Sequence, residues 1–187
     1  MQPSIQRCRW CSNDPLYIDY HDHEWGKPLF DEKALFELLC LEGQQAGLSW
    51  ITVLKKRETY RQQFFQYSIE EIANFTDDDL QLKVQDAGLI RHLGKLRAIR
   101  GNAQAWLKLQ AEHGNVATWL WQYVEHKTIH NDVPSYSTAP AQTTLSEQLS
   151  KTLKRHGFKF VGPTICYAFM QACGMVNDHE NDCFLKY

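Results

Sequence analysis

Cysteine and histidine residues occur in matching pairs at the two ends of the chain. Cys8 and His21 lie near the start, and His179 and Cys183 lie near the end. Two Cys and two His make the ligand set of a structural zinc site. Because His179 and Cys183 are four residues apart, a helix or tight turn points both side chains the same way. One bound ion would then join the termini, which are poorly ordered unless something holds them.

Other interpretations of these residues stay open on spacing alone. Cys8 and Cys11 form a CxxC pair, which is typical of a zinc half-site or of a redox pair, and His23 competes with His21. With six Cys and eight His in the chain, chance pairings are common. Cysteine is also often a small buried hydrophobic residue, so packing is the alternative to metal binding.

A carboxylate stands in line with an apolar stripe. Leu35, Leu38 and Leu39 precede Glu42 by seven, four and three residues, which places all four on one helix face. Burying a carboxylate without a partner costs on the order of several kcal/mol. The alternative is a surface glutamate on a helix that stops at Gly43, where the helix dipole disfavours it. We interpret Glu42 as a functional carboxylate.

Aromatic residues are dense around the first Cys and His and again just after Glu42. Together with acidic and imidazole groups they suit a pocket that stacks on a flat ligand and bonds to its edge. For any single aromatic residue, packing in the core is the better interpretation. Taken with Glu42, the group predicts a pocket for a planar base, and its members are Trp10, Tyr17, Tyr20, Trp25 and Trp50.

Two basic segments that contain glycine are candidates for binding phosphate. Residues 88–100 carry several Arg and Lys, and we interpret them as a solvated charged face. Residues 154–164 have the order helix, short basic hairpin, helix. Free N–H groups at such a hairpin and at the following helix start attract anions. The second segment is therefore the better candidate.

Size and composition are those of a soluble globular protein. The 187 residues fit one domain, or one domain with a small lobe, and 43% of them are hydrophobic. The chain shows no apolar run long enough to span a bilayer, and its start lacks a signal-peptide pattern. We expect a cytoplasmic protein with reduced thiols. Because the net charge is −2, a nucleic-acid binder of this kind must concentrate its positive charge locally.

Helical patterns run through nearly the whole chain, and no segment shows convincing strand alternation. We therefore expect an all-α fold. Predicted helix caps are Asp31, Ser49, Ser68, Thr76 and, at a C-terminus, Gly88. Further helices are predicted over residues 93–114, 116–124, 144–156 and 163–173, the last of them buried on nearly every side. The Asp14-Pro15 pair predicts a turn, and residues 127–144 predict a long loop.

Four segments resemble the bacterial 3-methyladenine DNA glycosylase I family. They are CRWCSNDPLYIDYHDHEWG, LFELLCLEGQQAGLSWITVLKKRE, VQDAGLIRHLGK and GFKFVGPTICYAFMQACGMVNDH. The resemblance covers essentially the whole chain. It implies an all-α helix-hairpin-helix glycosylase fold with a zinc site that joins the termini. It also implies hydrolysis of the N-glycosidic bond of 3-methyladenine flipped out of alkylated duplex DNA, which releases the free base and initiates base excision repair.

The resemblance also implies roles for particular residues. Glu42 would be the carboxylate that reads the base, Trp50 would stack on it, and Tyr17 and Tyr20 would line the pocket with Trp10 and Trp25. A structural Zn²⁺ would be held by Cys8, His21, His179 and Cys183. The hairpin that contacts DNA would contribute Lys159, Phe160, Val161, Gly162 and Thr164.

Some features depart from the family pattern or leave a question open. Phe160 stands where many members of the superfamily have glycine, which bears on how the hairpin backbone meets phosphate. Asp178 lies in a region where many of them hold a catalytic aspartate, and its role stays open, as does that of Cys11. No lysine stands out as a Schiff-base nucleophile, which favours simple hydrolysis over lyase chemistry. We expect a monomer.

Two rival functions remain. One is a zinc-stapled helical binding module without chemistry, in which Glu42 is structural and the aromatic residues are core. The other is a hydrolase of free nucleosides, against which the basic hairpin argues.

Overall fold

The computed structural model describes residues 5–187 and is built mainly from helices. In that range, α-helices are α1 (Pro15–His23), α2 (Glu32–Gln44), α3 (Trp50–Tyr60), α4 (Ile69–Ala73), α5 (Asp77–Lys83), α6 (Leu93–His113), α7 (Val116–Trp121), α8 (Thr144–Arg155) and α9 (Pro163–Ala172). A π-helical turn continues α3 over Arg61–Phe65, and 3-10 turns cover Gln122–Val124 and Tyr136–Thr138. The predicted all-α architecture is confirmed.

One very short parallel sheet departs from that prediction. Strands β1 (Ile129–His130) and β2 (Val176–Asn177) pair with Ile129 opposite Val176. Each strand has two residues, so neither is long enough to show the alternation by which strands are recognised in a sequence. The pairing joins the long loop before α8 to the segment after α9.

Most predicted helix starts are correct because their capping chemistry is local. The Asp31 carboxylate accepts a hydrogen bond from the Ala34 backbone N–H at 2.8 Å. Capping boxes form at Ser68 and at Thr76, as their spacing to an acidic residue predicts. Ser49 does occupy the cap position of α3, but its hydroxyl pairs with the Thr52 hydroxyl at 2.8 Å instead of a backbone N–H.

Two local predictions are wrong. The Asp14-Pro15 pair begins α1 instead of forming a turn, because Asp14 caps the helix and proline suits its first position. Gly88 is not a helix cap, since α5 already ends at Lys83. Its small size serves packing: a Cβ at Gly88 would lie 2.5 Å from the Thr59 hydroxyl oxygen.

Helix α2 lies at the centre and packs against α3, α6, α7 and α9. Its residues Leu35, Phe36 and Leu39 are fully buried, and within residues 5–187 nearly all buried hydrophobic side chains form one cluster. Helix α9 is buried along most of its length, as its apolar sequence predicts. The C-terminal end of α2, which carries Glu42, is thereby held between the other helices.

The two ends of the described chain lie against each other. The Phe184 N–H donates to the Gln6 carbonyl at 2.9 Å. The buried Glu180 carboxylate accepts from the Arg9 N–H at 2.6 Å and from the Tyr136 N–H at 2.7 Å. Glu180 therefore ties both ends to the loop between α7 and α8. Across residues 5–187, no helix is both long and apolar enough to cross a membrane.

Candidate active site

Glu42 is buried, with 3% of its surface exposed, in the last turn of α2. The alternative of a surface glutamate is wrong because α2 continues past Gly43 and its residues 39–44 are all buried. Burial raises the pKa of the Glu42 carboxyl to about 8. Within residues 5–187 the carboxylate has no ion-pair or hydrogen-bond partner that would lower that pKa. Buried carboxylates ordinarily have a hydrogen-bond or ion-pair partner that offsets the cost of burial, and Glu42 has none among the described residues.

A cavity of about 300 Å³ opens beside this carboxyl. Its walls include every aromatic residue that the sequence places in a base pocket, namely Trp10, Tyr17, Tyr20, Trp25 and Trp50. The structure therefore brings together all of these side chains and Glu42. A flat ligand in this cavity would meet aromatic faces on several sides and one acid at its edge.

The aromatic walls are packed against one another in edge-to-face and tilted arrangements. The Trp10 ring meets Tyr17 at 5.2 Å and Trp25 at 4.9 Å between ring centres, and Tyr20 meets Trp50 at 5.5 Å. Such contacts fix the orientation of each ring. Among the described residues, the buried indole N–H groups of Trp10 and Trp50 have no hydrogen-bond acceptor. Two of the three buried indole N–H groups without a partner in residues 5–187 therefore belong to the cavity walls, and the third, that of Trp106, lies elsewhere.

Several wall residues were not found from the sequence. Tyr136 comes from the segment predicted as a loop, and its ring lies 6.4 Å from Trp10. Gln45, Ser49 and Gln171 also line the cavity. Tyr136 reaches the cavity through tertiary folding alone, because Glu180 holds its backbone. An aromatic residue in an otherwise polar loop is the one signal in the sequence that points to it.

Asp178 lies behind the wall and does not touch the cavity. It is 1% exposed and accepts hydrogen bonds from Tyr167 at 2.5 Å, Gln171 at 2.9 Å and Asn131 at 2.7 Å. These bonds fix the amide of Gln171, which does line the cavity. Asp178 is therefore a positioning residue in this geometry.

A second cavity of about 250 Å³ lies on the other side of Tyr20 and Trp50. There Arg57 forms a two-point ion pair with Glu24 at 2.6 and 2.7 Å, and its guanidinium lies 6.0 Å from the centre of the Tyr20 ring. The Arg57 guanidinium, whose charge is balanced by Glu24, thus lies beside the Tyr20 ring. The arrangement supports the wall of the base cavity.

The four predicted metal ligands form a buried cluster between the termini. The sulphur of Cys8 lies 3.5 Å from His179 Nδ1, and the sulphur of Cys183 lies 3.6 Å from both His179 Nδ1 and His21 Nε2. A tetrahedral zinc ion, with bonds of about 2.3 Å to sulphur and about 2.0 Å to nitrogen, separates such atoms by about 3.5 Å. The residues present therefore fit a tetrahedral metal ion.

The surroundings of the cluster also match a metal site. His21 Nδ1 pairs with the Asp22 carboxylate at 2.8 Å, and Asp22 is held by Arg7 at 2.7 Å. A carboxylate behind a ligating histidine orients the ring and selects its tautomer. The rival ligands lie outside the cluster: the Cys11 sulphur points to the Tyr17 carbonyl, and His23 is exposed beside Asp19.

The basic hairpin between α8 and α9 is fixed by side chains from the core. Asn102 holds Lys159 from both sides, accepting from its N–H at 2.8 Å and donating to its carbonyl at 3.2 Å. The carbonyl of Val161, which is buried, accepts from the Ser150 hydroxyl at 2.6 Å. Lys159, Phe160 and Thr164 are exposed, and Gly162 caps α9.

Phe160 adopts a backbone conformation that favours glycine. Its φ is +55°, in the left-handed region that side chains disfavour. The Asn102 bonds to the preceding residue hold it there. A Cβ at Gly43 would lie 3.1 Å from the Phe160 carbonyl oxygen, so the hairpin packs directly on the end of α2. Because Gly43 directly follows Glu42, this contact fixes the position of the hairpin relative to Glu42.

The other basic segment is not a uniformly solvated face. Lys95 is buried and donates to the carbonyls of Gln44 at 2.8 Å and Ala46 at 2.7 Å, which caps the end of α2. Arg100 pairs with Asp77 at 2.9 Å. The interpretation as a solvated face is wrong for Lys95, because the carbonyls at a helix C-terminus need donors.

A groove of about 410 Å³ continues from the base cavity towards α9 and shares Gln45, Tyr136 and Gln171 with it. Its rim is the turn before α3, where Gly47 has a φ of +77° and Leu48 is 42% exposed. The groove ends at Thr164, beside the hairpin. Cavity, exposed leucine and hairpin thus lie along one face.

A family model described as methyladenine glycosylase matches residues 10–186. The chain belongs to the methyladenine glycosylase family. A relative from Escherichia coli (strain K12), DNA-3-methyladenine glycosylase 1, is 54% identical over 179 residues, which are 96% of this chain and 96% of the relative.

Solved structures of methyladenine glycosylases have the same fold. A crystal structure of 3-methyladenine DNA glycosylase I superposes with a TM-score of 0.94 at 52% identity and covers 96% of this chain and 99% of that one. A single-residue variant of a 3-methyladenine DNA glycosylase I, solved in complex with 3-methyladenine, has a TM-score of 0.93 at 40% identity, with 97% of each chain covered. As a methyladenine glycosylase the chain is an enzyme, which favours a catalytic cavity over a binding module without chemistry.

Proposed function

We propose that the protein is a DNA-3-methyladenine glycosylase that excises 3-methyladenine from alkylated duplex DNA and so initiates base excision repair in the cytoplasm. The observation that carries this proposal is Glu42, an unpartnered buried acid at the edge of an aromatic cavity. The E. coli relative bears the name of this activity, and a related enzyme has been solved with 3-methyladenine. One hydrophobic cluster supports a single glycosylase domain, with a lobe at the termini.

Recognition follows from the charge of the lesion. Methylation at N3 makes the adenine of the nucleotide cationic, whereas plain adenine is neutral. A cation beside Glu42 favours the carboxylate over the neutral acid, so base binding and proton loss are coupled. Trp50 and Tyr20 present electron-rich faces that attract a cationic ring. The same acid disfavours neutral adenine, which offers no charge to offset its desolvation.

The reaction breaks the bond between N9 of the base and C1′ of the sugar. The bonding electron pair leaves with the purine, which becomes neutral. A water oxygen bonds to C1′ and gives up one proton to solvent. Because the methylated base leaves readily, binding and electrostatic stabilisation carry the catalysis. Glu42 supplies the negative charge at the base edge. The cavity wall, within the described residues, includes no lysine, which supports hydrolysis without a Schiff base.

The face around the cavity suits a kinked duplex. The hairpin residues Lys159, Phe160, Val161, Gly162 and Thr164 present backbone N–H groups and one ammonium to phosphate. The exposed Leu48, at the groove rim, suits a wedge that fills the stack when the damaged nucleotide turns out. Flipping costs a few kcal/mol, and least for a damaged base.

We assign a structural Zn²⁺ to Cys8, His21, His179 and Cys183. The ion would hold the terminal lobe closed and would fix ring positions at the cavity. The Trp25 ring lies 4.7 Å from the His179 ring, and Trp10 lies 5.3 Å from His21. Metal analysis of the purified monomer is expected to find one zinc per chain, and a protein that folds fully without bound metal contradicts the assignment.

The function is tested by incubating the protein with methylated duplex DNA and identifying the released products. We expect free 3-methyladenine and an abasic site, with no protein–DNA adduct after borohydride reduction. Methylated free nucleoside at the same concentration is the control for the nucleoside hydrolase. No base release from DNA, or equal cleavage of the nucleoside, contradicts the proposal.

A further inference from the structure

Three metal-ligating side chains converge on the surface where the end of α6 meets the end of α8. Glu112 and His113 close α6, and His156 follows the last residue of α8. Their ligand atoms all lie within 4.8 Å of one another. The side chains are 56%, 41% and 20% exposed, so solvent reaches the group. They lie outside the walls of the base cavity and the groove, and the proposed glycosylase reaction does not use them.

The distances suit one small cation. A single oxygen of Glu112 lies 3.1 Å from His156 Nε2 and 3.8 Å from His113 Nε2. A zinc ion bound tetrahedrally, at about 2.0 Å from nitrogen and about 2.1 Å from oxygen, separates such atoms by about 3.4 Å. The two observed separations lie on either side of that value, and small side-chain rotations equalise them.

The hydrogen bond on the far side of His156 leaves its Nε2 free to bind a cation. His156 Nδ1 lies 2.9 Å from the Thr152 carbonyl oxygen, which is an acceptor, so Nδ1 carries the proton. In the neutral ring, Nε2 then holds a lone pair that faces the Glu112 carboxylate. Two acceptors in contact repel each other unless a metal ion or a second proton lies between them. A backbone carbonyl behind the ring is also the usual support of a ligating histidine.

His113 is oriented towards the same oxygen by Trp119. The indole stacks on the imidazole with 5.7 Å between ring centres and 27° between planes, and it lies 6.4 Å from the His156 ring. Stacking limits the rotation of His113 and leaves its Nε2 directed at Glu112. Two imidazoles therefore converge on one carboxylate oxygen from two different helices.

We propose that Glu112, His113 and His156 form a second metal site for a divalent transition-metal ion such as Zn²⁺, with water completing its coordination. Imidazole and carboxylate ligands suit such ions. With two exposed ligands, one half-buried ligand and no thiolate, this surface site binds more weakly than the buried Cys–His cluster. His156 directly precedes Gly157, where the hairpin begins, so the ion ties the end of α6 to the entrance of the hairpin.

The test uses Ni²⁺ and the full chain, with its Cys–His cluster first saturated by one equivalent of zinc. We expect calorimetry to show one further Ni²⁺ per chain, accompanied by quenching of Trp119 fluorescence. His113→Gln and His156→Gln should each weaken this binding by at least about tenfold, the lower end of the effect of losing even an outer-shell partner. His126→Gln, at an exposed histidine elsewhere, should bind as the parent does.

Trp119→Phe separates binding from its optical signal. This variant should keep the calorimetric Ni²⁺ event and lose the quenching. The proposal is overturned if the zinc-saturated parent takes up no further Ni²⁺ at millimolar concentration. It is also overturned if both histidine variants bind Ni²⁺ like the parent. In those cases the three side chains form only a hydrogen-bonded surface group.

Discussion

Glu42 and Asp178 are two buried carboxyl groups on either side of the same cavity wall, and their surroundings are opposite. Asp178 accepts hydrogen bonds from Tyr167, Gln171 and Asn131. Glu42 has no such partner within residues 5–187, and burial raises its pKa to about 8. Both acids are within a few per cent of complete burial. Burial alone therefore does not distinguish a structural acid from one available to a ligand.

The difference lies in whether the protein itself completes the hydrogen bonding. A saturated acid stabilises the fold and orients its neighbours, as Asp178 orients Gln171. An unsaturated acid destabilises the free protein and is compensated when a ligand arrives. The buried N–H groups of Trp10 and Trp50 are also unpaired among the described residues. The comparison predicts opposite effects of mutation at the two acids.

The largest effect is expected for Glu42→Gln. The variant keeps the shape of the side chain and removes its charge, so we expect the release of 3-methyladenine to fall about 10²- to 10³-fold, as when one charge-stabilising group is lost. Single-turnover base release from methylated DNA measures this. Glu58→Gln, at an exposed glutamate, is the matched control. Activity equal to that of the parent would remove Glu42 from recognition.

The next largest effect is expected for Asp178→Asn, and it falls on stability. The neutral amide cannot accept all the hydrogen bonds that the carboxylate accepts, so the free energy of unfolding should drop by about 2–3 kcal/mol. Urea unfolding in the presence of zinc measures it, with Asp182→Asn at the surface as control. A variant as stable as the parent, but inactive, would make Asp178 a catalytic group.

The pH dependence should separate the two acids further. The pKa of Glu42 is raised above its ordinary value of 4.5, so the folded state retains a proton that the unfolded state has lost. Glu42 therefore lowers stability as pH rises from about 5 to above 8. Glu42→Gln should be more stable than the parent at pH 9 by up to about 5 kcal/mol, because one unit of pKa corresponds to about 1.4 kcal/mol. Thermal unfolding at pH 5 and pH 9 checks the sign. A Glu42→Gln variant that is less stable at both pH values contradicts it.

The same titration should govern activity. Since the cationic base is recognised by the carboxylate, kcat/KM for base release should increase with pH until about 8 in the parent. In Glu42→Gln this dependence should be lost. A parent profile that is flat between pH 6 and pH 9 would place the relevant ionisation elsewhere.

The smallest effect is expected for Tyr167→Phe, which removes one of the donors to Asp178. The loss should be about 1–2 kcal/mol of unfolding free energy, with base release within a few-fold of the parent. Tyr123→Phe, in the 3-10 turn that follows α7, is the control. A larger loss of activity than of stability would show that Tyr167 acts on the ligand.

Local chemistry explains what could be predicted from the sequence. The caps at Asp31, Ser68 and Thr76, and the position of Glu42 on an apolar stripe, depend on residues a few positions apart. All aromatic residues of the pocket except Tyr136 were found because they cluster in short segments. The sequence predicted that two cysteines and two histidines bind the metal ion, but their spacing alone did not distinguish His21 from His23 as a ligand.

Long-range contacts explain what could not be predicted. Tyr136 reaches the cavity because Glu180 holds its backbone, and Asp178 meets Asn131 across 47 positions of sequence. The two strands are too short to show a pattern. Gly88, in a loop, must be small because the Thr59 side chain on α3 packs against it. Lys95 caps α2 although the sequence places it in a basic run.

The central claim is that Glu42 is a buried acid without partners that yields its proton to solvent when a cationic base binds. Carbon-13 NMR of glutamate-labelled protein, assigned with Glu42→Gln, measures this directly. We expect a carboxyl that titrates near 8 in the free protein and becomes ionised at neutral pH on duplex DNA that carries a non-cleavable analogue of the cationic nucleotide. A Glu42 carboxyl that titrates near 4.5 in the free protein, unchanged by DNA, would contradict the account.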